Sequence, residues 1–461
     1  MSHGAFAVFL CGGLALRCMA LGAYRPALLL QRDAYYYIQH ALSFDIAGIR
    51  PPVYPLFIKP LLATGALWTV PAAQHVLGLL CGAACYVLLL RLGLPPVWSA
   101  LGAAPVLLDG FQIEMEQYVL SETLFEALSL AALAVLLWAN RVSPGRAAVA
   151  GLLLALAIAT RFVGLGLLAP MVLYALARPV GSRRLAAGAS LLCAALVPLA
   201  AYGAASLGSS ESRSPAAKLG YPLYGRVAPL ADCDRLRLPR PERPLCLDRL
   251  PKDGSRPFTI WSPLSPARHL HAPRGTTKDA LIRDFTLRVI AQEPGAYAGA
   301  VADDLARYFS PNAPRLDPHV RFWRFPRSLS DARPLNEFVE KAGAAPLPRW
   351  GLGDGFSIAA GPASFLRDYQ RHVFMWGPLL GALLIAGLAG AALPARSNGL
   401  RAAAALMVAC VLGLLLFRLA FGVYGYRYVI VTLPFAGPAG AAGLALVSAR
   451  LGRLAPSTRI A

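Results

Sequence analysis

The chain has 461 residues, of which 57% are hydrophobic, and its mean hydropathy is +0.53. These values exceed those of an ordinary soluble domain, and the apolar residues form blocks close to the length of a bilayer crossing. The formal net charge is +20, but the arginines lie between apolar blocks and no nucleic-acid motif is present, which argues against a nucleic-acid partner. The composition predicts an all-α polytopic membrane protein with lipid headgroups and phosphates as charged partners.

Apolar blocks along the chain predict about ten transmembrane helices, judged against about 20 residues per crossing. They cover residues 4–24, 72–93, 95–110, 119–139, 145–160, 162–178, 184–207, 373–393, 401–422 and 427–449. The stretch 145–178 is too long for one crossing and carries Arg161 near its middle, so we expect a hairpin there. The first block lacks a basic start and a cleavage site before Arg25, and we interpret it as a retained span rather than a signal peptide.

The distribution of arginine predicts the orientation in the membrane. Several short connections and the tail carry arginine without any acid and should all lie on the cytoplasmic side: Arg141, Arg146, Arg178, Arg183, Arg184, Arg396, Arg401, Arg450, Arg453 and Arg459. Residues 1–207 then form a transmembrane module with an outer loop at 25–71, residues 208–372 form a mixed, loop-rich extracytoplasmic domain, and residues 373–461 form a second transmembrane module.

Two segments outside the spans need separate interpretation. Residues 52–70 are interrupted by prolines, and we expect them to lie in the outer interface, anchored by Tyr54 and Trp68. The stretch 208–372 holds 25 Lys and Arg against 17 Asp and Glu, a net charge of +8. Within it, a disulfide between Cys233 and Cys246 is favoured over two free thiols, and Thr276 or Thr277 can cap a helix.

Asp33 is the first candidate for chemistry, because it follows the first span and precedes three tyrosines, Tyr35 to Tyr37. A catalytic carboxylate and an ordinary loop acid beside an aromatic anchor fit this residue about equally well. The predicted topology places four basic residues near the same outer face: Arg50, Lys59, Arg161 and Arg427. Arginine can hold two phosphate oxygens at once, but each of these residues could instead snorkel or pair with an acid. Arg17, deeper in the first span, could also snorkel.

Other site types find little support in the sequence. His269 and His271 form an isolated pair and are better explained as surface histidines than as metal ligands. There is neither a phosphate-binding glycine-rich loop nor a serine nucleophile elbow. Nucleotide hydrolysis and serine-hydrolase chemistry therefore lose support.

An ordered set of short motifs resembles the GT-C superfamily of integral-membrane glycosyltransferases. Within it, the chain is similar to the branch of protein O-mannosyltransferases and the bacterial aminoarabinose transferase. The matching pieces are Asp33 with Tyr37 and Ala41, Arg50 to Leu56 including Tyr54, Leu120-Ser121-Glu122, Ala159-Thr160-Arg161 and Tyr426-Arg427-Tyr428. Residues 225–233 in the external domain resemble actinobacterial members.

The resemblance implies a membrane enzyme of the bacterial envelope, with its external domain outside the cytoplasmic membrane. It would transfer a sugar, with inversion, from a polyprenyl-phosphate carrier to an unknown glycan, lipid or protein acceptor. By similarity Asp33 is the catalytic base, and Arg50, Lys59, Arg161, Arg427 and Tyr54 would bind the donor phosphate, with Tyr37, Glu122 and Tyr428 supporting them. A divalent cation could share the phosphate site.

Two points stay open in the sequence. Many relatives pair two acids in the first loop, whereas Ala34 follows Asp33 here, so a second acid would have to be Asp45, Asp109, Glu114 or Glu116. The alternative functions are a transporter or lipid flippase, which also needs many spans and intramembrane charges, and a non-catalytic scaffold. A transporter of this kind often has two related halves, which the sequence does not display.

Overall fold

The computed structural model describes residues 3–29, 31–43, 51–139, 141–178, 183–207, 215–247, 265–317, 323–328, 356–393 and 398–454. Its helices are α1 (Gly4–Ala23), α2 (Gln31–Ser43), α3 (Val53–Leu62), α4 (Thr69–Arg91), α5 (Pro96–Leu108), α6 (Gly110–Gln117), α7 (Glu122–Leu137), α8 (Pro144–Ile158), α9 (Leu168–Ala177), α10 (Arg183–Leu207), α11 (Pro215–Val227), α12 (Pro266–His269), α13 (Lys278–Gln292), α14 (Pro294–Tyr308), α15 (Ala360–His372), α16 (Gly377–Ala392), α17 (Asn398–Phe421), α18 (Arg427–Ile430) and α19 (Leu433–Leu454). Two short strands, β1 (Tyr24–Arg25) and β2 (Ser357–Ile358), form an antiparallel pair.

The predicted membrane spans all coincide with helices, but they differ in length. Among the described residues, four helices are long and apolar enough to cross a membrane: α1, α4, α10 and α17. Helices α15 and α16, bent by 51° at the break between them, give a fifth if they act as one span. Helix α5 has only 13 residues, about 20 Å at 1.5 Å per residue, against a hydrocarbon core of about 30 Å. The ten complete crossings therefore remain a prediction.

The chain breaks at Arg161, where the hairpin is predicted. Helix α8 ends at Ile158, and a 3₁₀ segment, Phe162–Leu167, precedes α9. This segment packs closely against α17, because a Cβ on Gly166 would lie 2.2 Å from the carbonyl oxygen of Gly413. Glycine at both positions lets the backbones approach, and the contact brings the break beside α17.

The last predicted span is shorter at its start than the sequence indicates. Residues 427–430 form the separate helix α18, and the long helix α19 begins only at Leu433. Arg427 and Tyr428 therefore lie in a connection between α17 and α19, before the long helix. Their side chains can therefore contact residues at the ends of other helices.

The prediction that the Tyr54 side chain anchors its segment in the membrane interface is wrong. Tyr54 is fully buried on α3. Its ring packs edge-on against Tyr37 of α2, with centroids 4.7 Å apart, and its hydroxyl donates to Gln74 Oε1 of α4 at 2.7 Å. Because α2 and α4 cover it, Tyr54 cannot anchor the chain in headgroups, whereas Trp68 is 55% exposed as an anchor should be.

The segment between α1 and α2 is held on both sides by backbone hydrogen bonds. Tyr24 and Arg25 pair with Ile358 and Ser357 in the β1–β2 ladder. A few residues later, Leu28 N–H donates to the carbonyl of Gln117 at 3.0 Å, and Val119 N–H donates to the carbonyl of Leu28 at 3.1 Å. These contacts fix the direction in which the chain enters α2, and hence the position of Asp33.

The described part of the region 208–372 contains a second, smaller hydrophobic core. Residues of α11 and α13 pack together there, with Tyr224 and Phe285 fully buried. The predicted disulfide between Cys233 and Cys246 is present beside it. Thr277 caps α13, since its hydroxyl accepts from Ala280 N–H at 3.1 Å, as predicted.

Candidate functional site

Four charged side chains from separate parts of the chain meet in one cluster. Asp33 Oδ2 lies 3.6 Å from Arg427 Nη1, which lies 3.8 Å from Glu122 Oε1. Glu122 Oε1 also lies 2.7 Å from Arg161 Nη1. Glu122 is completely buried, whereas the side chain of Asp33 is 21% exposed. Glu122 thus holds the two guanidinium groups from within the protein, and Asp33 is the acid that can meet a ligand.

Helix ends position these four side chains. Asp33 is in the first turn of α2 and Glu122 in the first turn of α7, where a carboxylate is stabilised by the helix dipole. Arg161 directly precedes the 3₁₀ segment, and Arg427 is the first residue of α18. Residues at helix ends extend into the space between elements, which is why residues distant in sequence converge here.

Tyr37 links the Asp33 helix to this cluster. Its hydroxyl is 2.9 Å from the hydroxyl oxygen of Ser121, which also accepts from Arg161 Nη1 at 3.2 Å. The Tyr37 ring in turn packs on Tyr54, and Gln74, the hydrogen-bond partner of Tyr54, donates to the carbonyl of Tyr118 at 2.6 Å. Tyr54 therefore supports Tyr37 from the core instead of presenting its hydroxyl to a phosphate.

Tyr428 lies among three arginines. The guanidinium carbons of Arg418, Arg427 and Arg161 are 4.4, 5.4 and 5.6 Å from the centre of its ring. Burial acts to raise the pKa of the Tyr428 phenol, but these three guanidinium groups outweigh it and lower the pKa to about 7. Arg427 also packs over Trp323, at 4.9 Å. The cluster concentrates positive charge around Tyr428, and Arg427 brings part of it next to Asp33.

The stability of the protein should depend on the ionisation of Tyr428. The phenol titrates near pH 7 when folded and near pH 10 when unfolded. Because the unfolded state binds the extra proton between these values, the free energy of unfolding should rise with pH from about 7 to 10. Tyr428→Phe should remove that rise, as measured by thermal unfolding in detergent.

A matched control is Tyr221→Phe, because burial raises the pKa of Tyr221 and its phenol stays protonated in both states over most of this range. This variant should keep the wild-type pH slope. An unchanged slope in Tyr428→Phe would show that the phenol does not ionise near neutral pH.

Three of the four candidates for a second catalytic acid lie in the described part of the chain, and each is engaged by other residues. Glu116 pairs with Arg17 through two contacts of 2.7 Å, and both side chains are buried. Asp109 caps α6 by accepting from the backbone N–H of Phe111 at 2.8 Å. Glu114 accepts from Gln370. Arg427 instead lies between Asp33 and Glu122. The sequence motif indicated Glu122 only as a supporting residue.

Arg17 does not snorkel, which corrects that interpretation. Besides its contacts with Glu116, its guanidinium group donates to the backbone carbonyls of Gly13, Val106 and Leu107 at 3.2, 3.1 and 2.7 Å. His75 Nδ1 lies 2.8 Å from the same Glu116 carboxylate. A charge in an apolar helix is here stabilised by a complete set of internal partners.

Of the two remaining predicted phosphate ligands, the structure describes only Lys59. Lys59 is exposed near the end of α3, unlike the partly buried Arg161 and Arg427. Arg50 and Asp45 lie outside the described residues. Within the described ranges, no group of three or more His, Cys, Asp or Glu side chains is arranged to hold a metal ion.

The sequence did not predict the roles of three residues of the cluster. Ser121 accepts a hydrogen bond from Arg161, Trp323 packs against Arg427, and Arg418 packs over Tyr428. Arg418 had a usable signal, because it is a charge in the last turn of the strongly apolar helix α17. The sequence contained no such signal for Trp323, which lies in the stretch 208–372 with no motif around it.

Comparisons with known proteins give little further information. No protein-family model matches the chain, and no curated protein matches it. Among solved structures, the chain is similar to a crystal structure of ArnT from Cupriavidus metallidurans bound to undecaprenyl phosphate, with 14% sequence identity and a TM-score of 0.35. The match covers 95% of this chain and 78% of that chain. A likeness of this size does not establish a shared fold.

Proposed function

We propose that this protein is an inverting membrane glycosyltransferase that moves a sugar from a polyprenyl-phosphate donor to an acceptor hydroxyl. The observation that carries the proposal is the cluster in which the partly exposed Asp33 carboxylate lies 3.6 Å from Arg427. Arg161 and Arg418 add two further cations around Tyr428. A base beside several fixed cations suits a reaction that removes one proton and releases one anion.

The reaction needs a base and a place for the departing phosphate. Asp33 accepts the proton of the acceptor hydroxyl, and the acceptor oxygen forms a bond to the anomeric carbon from the face opposite the phosphate. The bond between that carbon and the phosphate oxygen breaks, and the phosphate leaves with the electron pair. Phosphate is a stable anion and needs no proton to leave, so one carboxylate is sufficient.

The arginines stabilise the phosphate as its negative charge grows. Guanidinium groups fixed in a partly buried site can do this without reorganising, and removing one such donor typically costs about 3–4 kcal/mol of barrier. Glu122 holds Arg161 and Arg427 in place from the buried side. Arg427 lies 3.6 Å from Asp33 and has further N–H groups with which it can donate to a phosphate oxygen.

We place this reaction at the outer face of a bacterial cytoplasmic membrane, with residues 208–372 outside. The support is the positive-inside pattern of the short loops and the position of Asp33, Glu122, Arg161 and Arg427 at helix ends. In this arrangement residues 1–207 supply the base and residues 373–461 supply Arg418 and Arg427.

A release assay tests the proposal directly. Purified protein should release polyprenyl phosphate from at least one member of a panel of polyprenyl-phosphate sugars when membrane extract supplies the acceptor. The control omits the extract, because transfer needs an acceptor. Uptake of the lipid-linked sugar into sealed vesicles, with no release of polyprenyl phosphate, would instead identify a transporter or flippase.

A further inference from the structure

A cavity of about 490 Å³ lies outside the Asp33 cluster and is lined by the arginines Arg315, Arg324, Arg367 and Arg371, with His372 beside them. None of the described residues that line it is acidic. We propose that this cavity binds a phosphate group carried by the acceptor. The assignment of the ligand as the acceptor depends on the proposed glycosyltransferase function, but phosphate binding itself does not.

The positive charge of the cavity is poorly compensated. Arg371 pairs with Asp368 at 3.1 Å, and Arg367 donates to the backbone carbonyl of Phe325. Within the described parts of the chain, no carboxylate lies within 4 Å of Arg315 or Arg324. Burial and the repulsion from Arg315 and Arg371 lower the pKa of Arg324. An anion entering the cavity would relieve that repulsion.

The buried acid Glu114 does not cancel this charge. Glu114 lies behind the cavity and is held by Gln370, one of the lining residues. Burial raises the pKa of Glu114 well above its usual value, which favours the neutral carboxylic acid. Even an ionised Glu114 would offset only one of the four guanidinium charges, so the cavity keeps a net positive potential.

The arrangement of the arginines suits a phosphate ligand better than a ligand with a single carboxylate. Guanidinium groups on several sides can bind several oxygens of a phosphate monoester, and each planar group can hold two oxygens. A cavity of this volume lies within the range of small-molecule sites and has room for a phosphorylated sugar.

The cavity adjoins the Asp33 cluster. Arg324 directly follows Trp323, whose ring packs on Arg427 at 4.9 Å. On the other wall, Phe111 packs on Tyr426, the residue before Arg427, with ring centroids 4.9 Å apart. An acceptor held by its phosphate in the cavity would therefore lie next to the residues that surround the proposed leaving group.

Direct binding tests this inference without any donor or transfer. The soluble probe is mannose 6-phosphate, with mannose as its uncharged control, added at low salt to the full chain in detergent. The lipid probe is phosphatidylglycerol, with phosphatidylcholine as its zwitterionic control, each supplied as detergent-free nanodiscs that contain the full chain. Binding of mannose 6-phosphate would indicate a soluble phosphorylated glycan, and binding of phosphatidylglycerol alone would indicate a lipid headgroup. The double variant Arg324→Gln/Arg367→Gln should bind the preferred probe at least about tenfold more weakly.

The matched control is Arg327→Gln, which removes one exposed arginine from the same segment without touching the cavity. It should bind like the wild type. If the double variant does not fold, Arg315→Gln, an exposed position, takes its place. No binding of either phosphate probe, or equal binding by the cavity variants, would overturn the inference and leave the glycosyltransferase proposal standing.

Discussion

Asp33→Asn is expected to abolish sugar transfer while leaving the protein folded. The amide keeps the shape of the side chain and can still lie beside Arg427, but it cannot accept the proton of the acceptor hydroxyl. Loss of a general base typically costs about 100-fold to 10,000-fold in rate. Release of polyprenyl phosphate by the purified variant measures the effect, and its thermal unfolding shows whether the fold is intact.

The appropriate control for this variant is Asp284→Asn, because Asp284 is an exposed acid that pairs with Arg283 on the surface of α13. It should transfer sugar at the wild-type rate. Full activity in Asp33→Asn would exclude Asp33 as the base. Glu122 would then be the alternative to test, since its carboxylate also approaches Arg427, at 3.8 Å.

Arg17→Ala should cause the largest loss of stability of any single change considered. It leaves the Glu116 carboxylate buried and removes the two contacts of 2.7 Å that stabilise it. Breaking a buried ion pair by removing one partner typically costs about 3–5 kcal/mol, because an uncompensated charge remains. Unfolding in detergent by heat or denaturant would measure this loss.

Two further variants test whether the loss of stability comes from the unpaired buried charge of Glu116. Arg17→Met with Glu116→Gln removes both charges and should recover much of the loss, since neutral groups cost less to bury. Arg235→Ala breaks the exposed pair with Asp232 and should change the stability by about 1 kcal/mol or less. If Arg17→Ala were as stable as Arg235→Ala, the buried pair would contribute nothing net.

The positions of the helices were predictable because the apolar blocks are separated by Gly, Pro and Arg. The break at Arg161 and the cap at Thr277 follow from the same local signals. The membrane crossings were less predictable from the sequence. A block of apolar residues can be covered by neighbouring helices as well as by lipid, and the sequence does not show which. Helix α5, for example, packs against α4 and α19 and is shorter than a bilayer core.

Partners that lie far apart in sequence account for most of what was missed. Arg17 seemed able to snorkel because its partner Glu116 lies on α6, 99 residues away. Tyr54 seemed to be an interfacial anchor because no local pattern shows that α2 covers it. The meeting of Asp33, Arg161 and Arg427 was predictable from their common position at span ends. The bridging role of Glu122 needed the structure.

The β1–β2 ladder has a consequence for biosynthesis. It joins Tyr24 to Ile358, so the entry to α2 gains its partner only after most of the polypeptide has been translated. A nascent chain inserted up to α10 would leave β1, which precedes the Asp33 helix, without its partner strand and would lack Arg418 and Arg427. Activity should therefore begin only when the ribosome has finished the last helices, and products truncated before Ile358 should be inert.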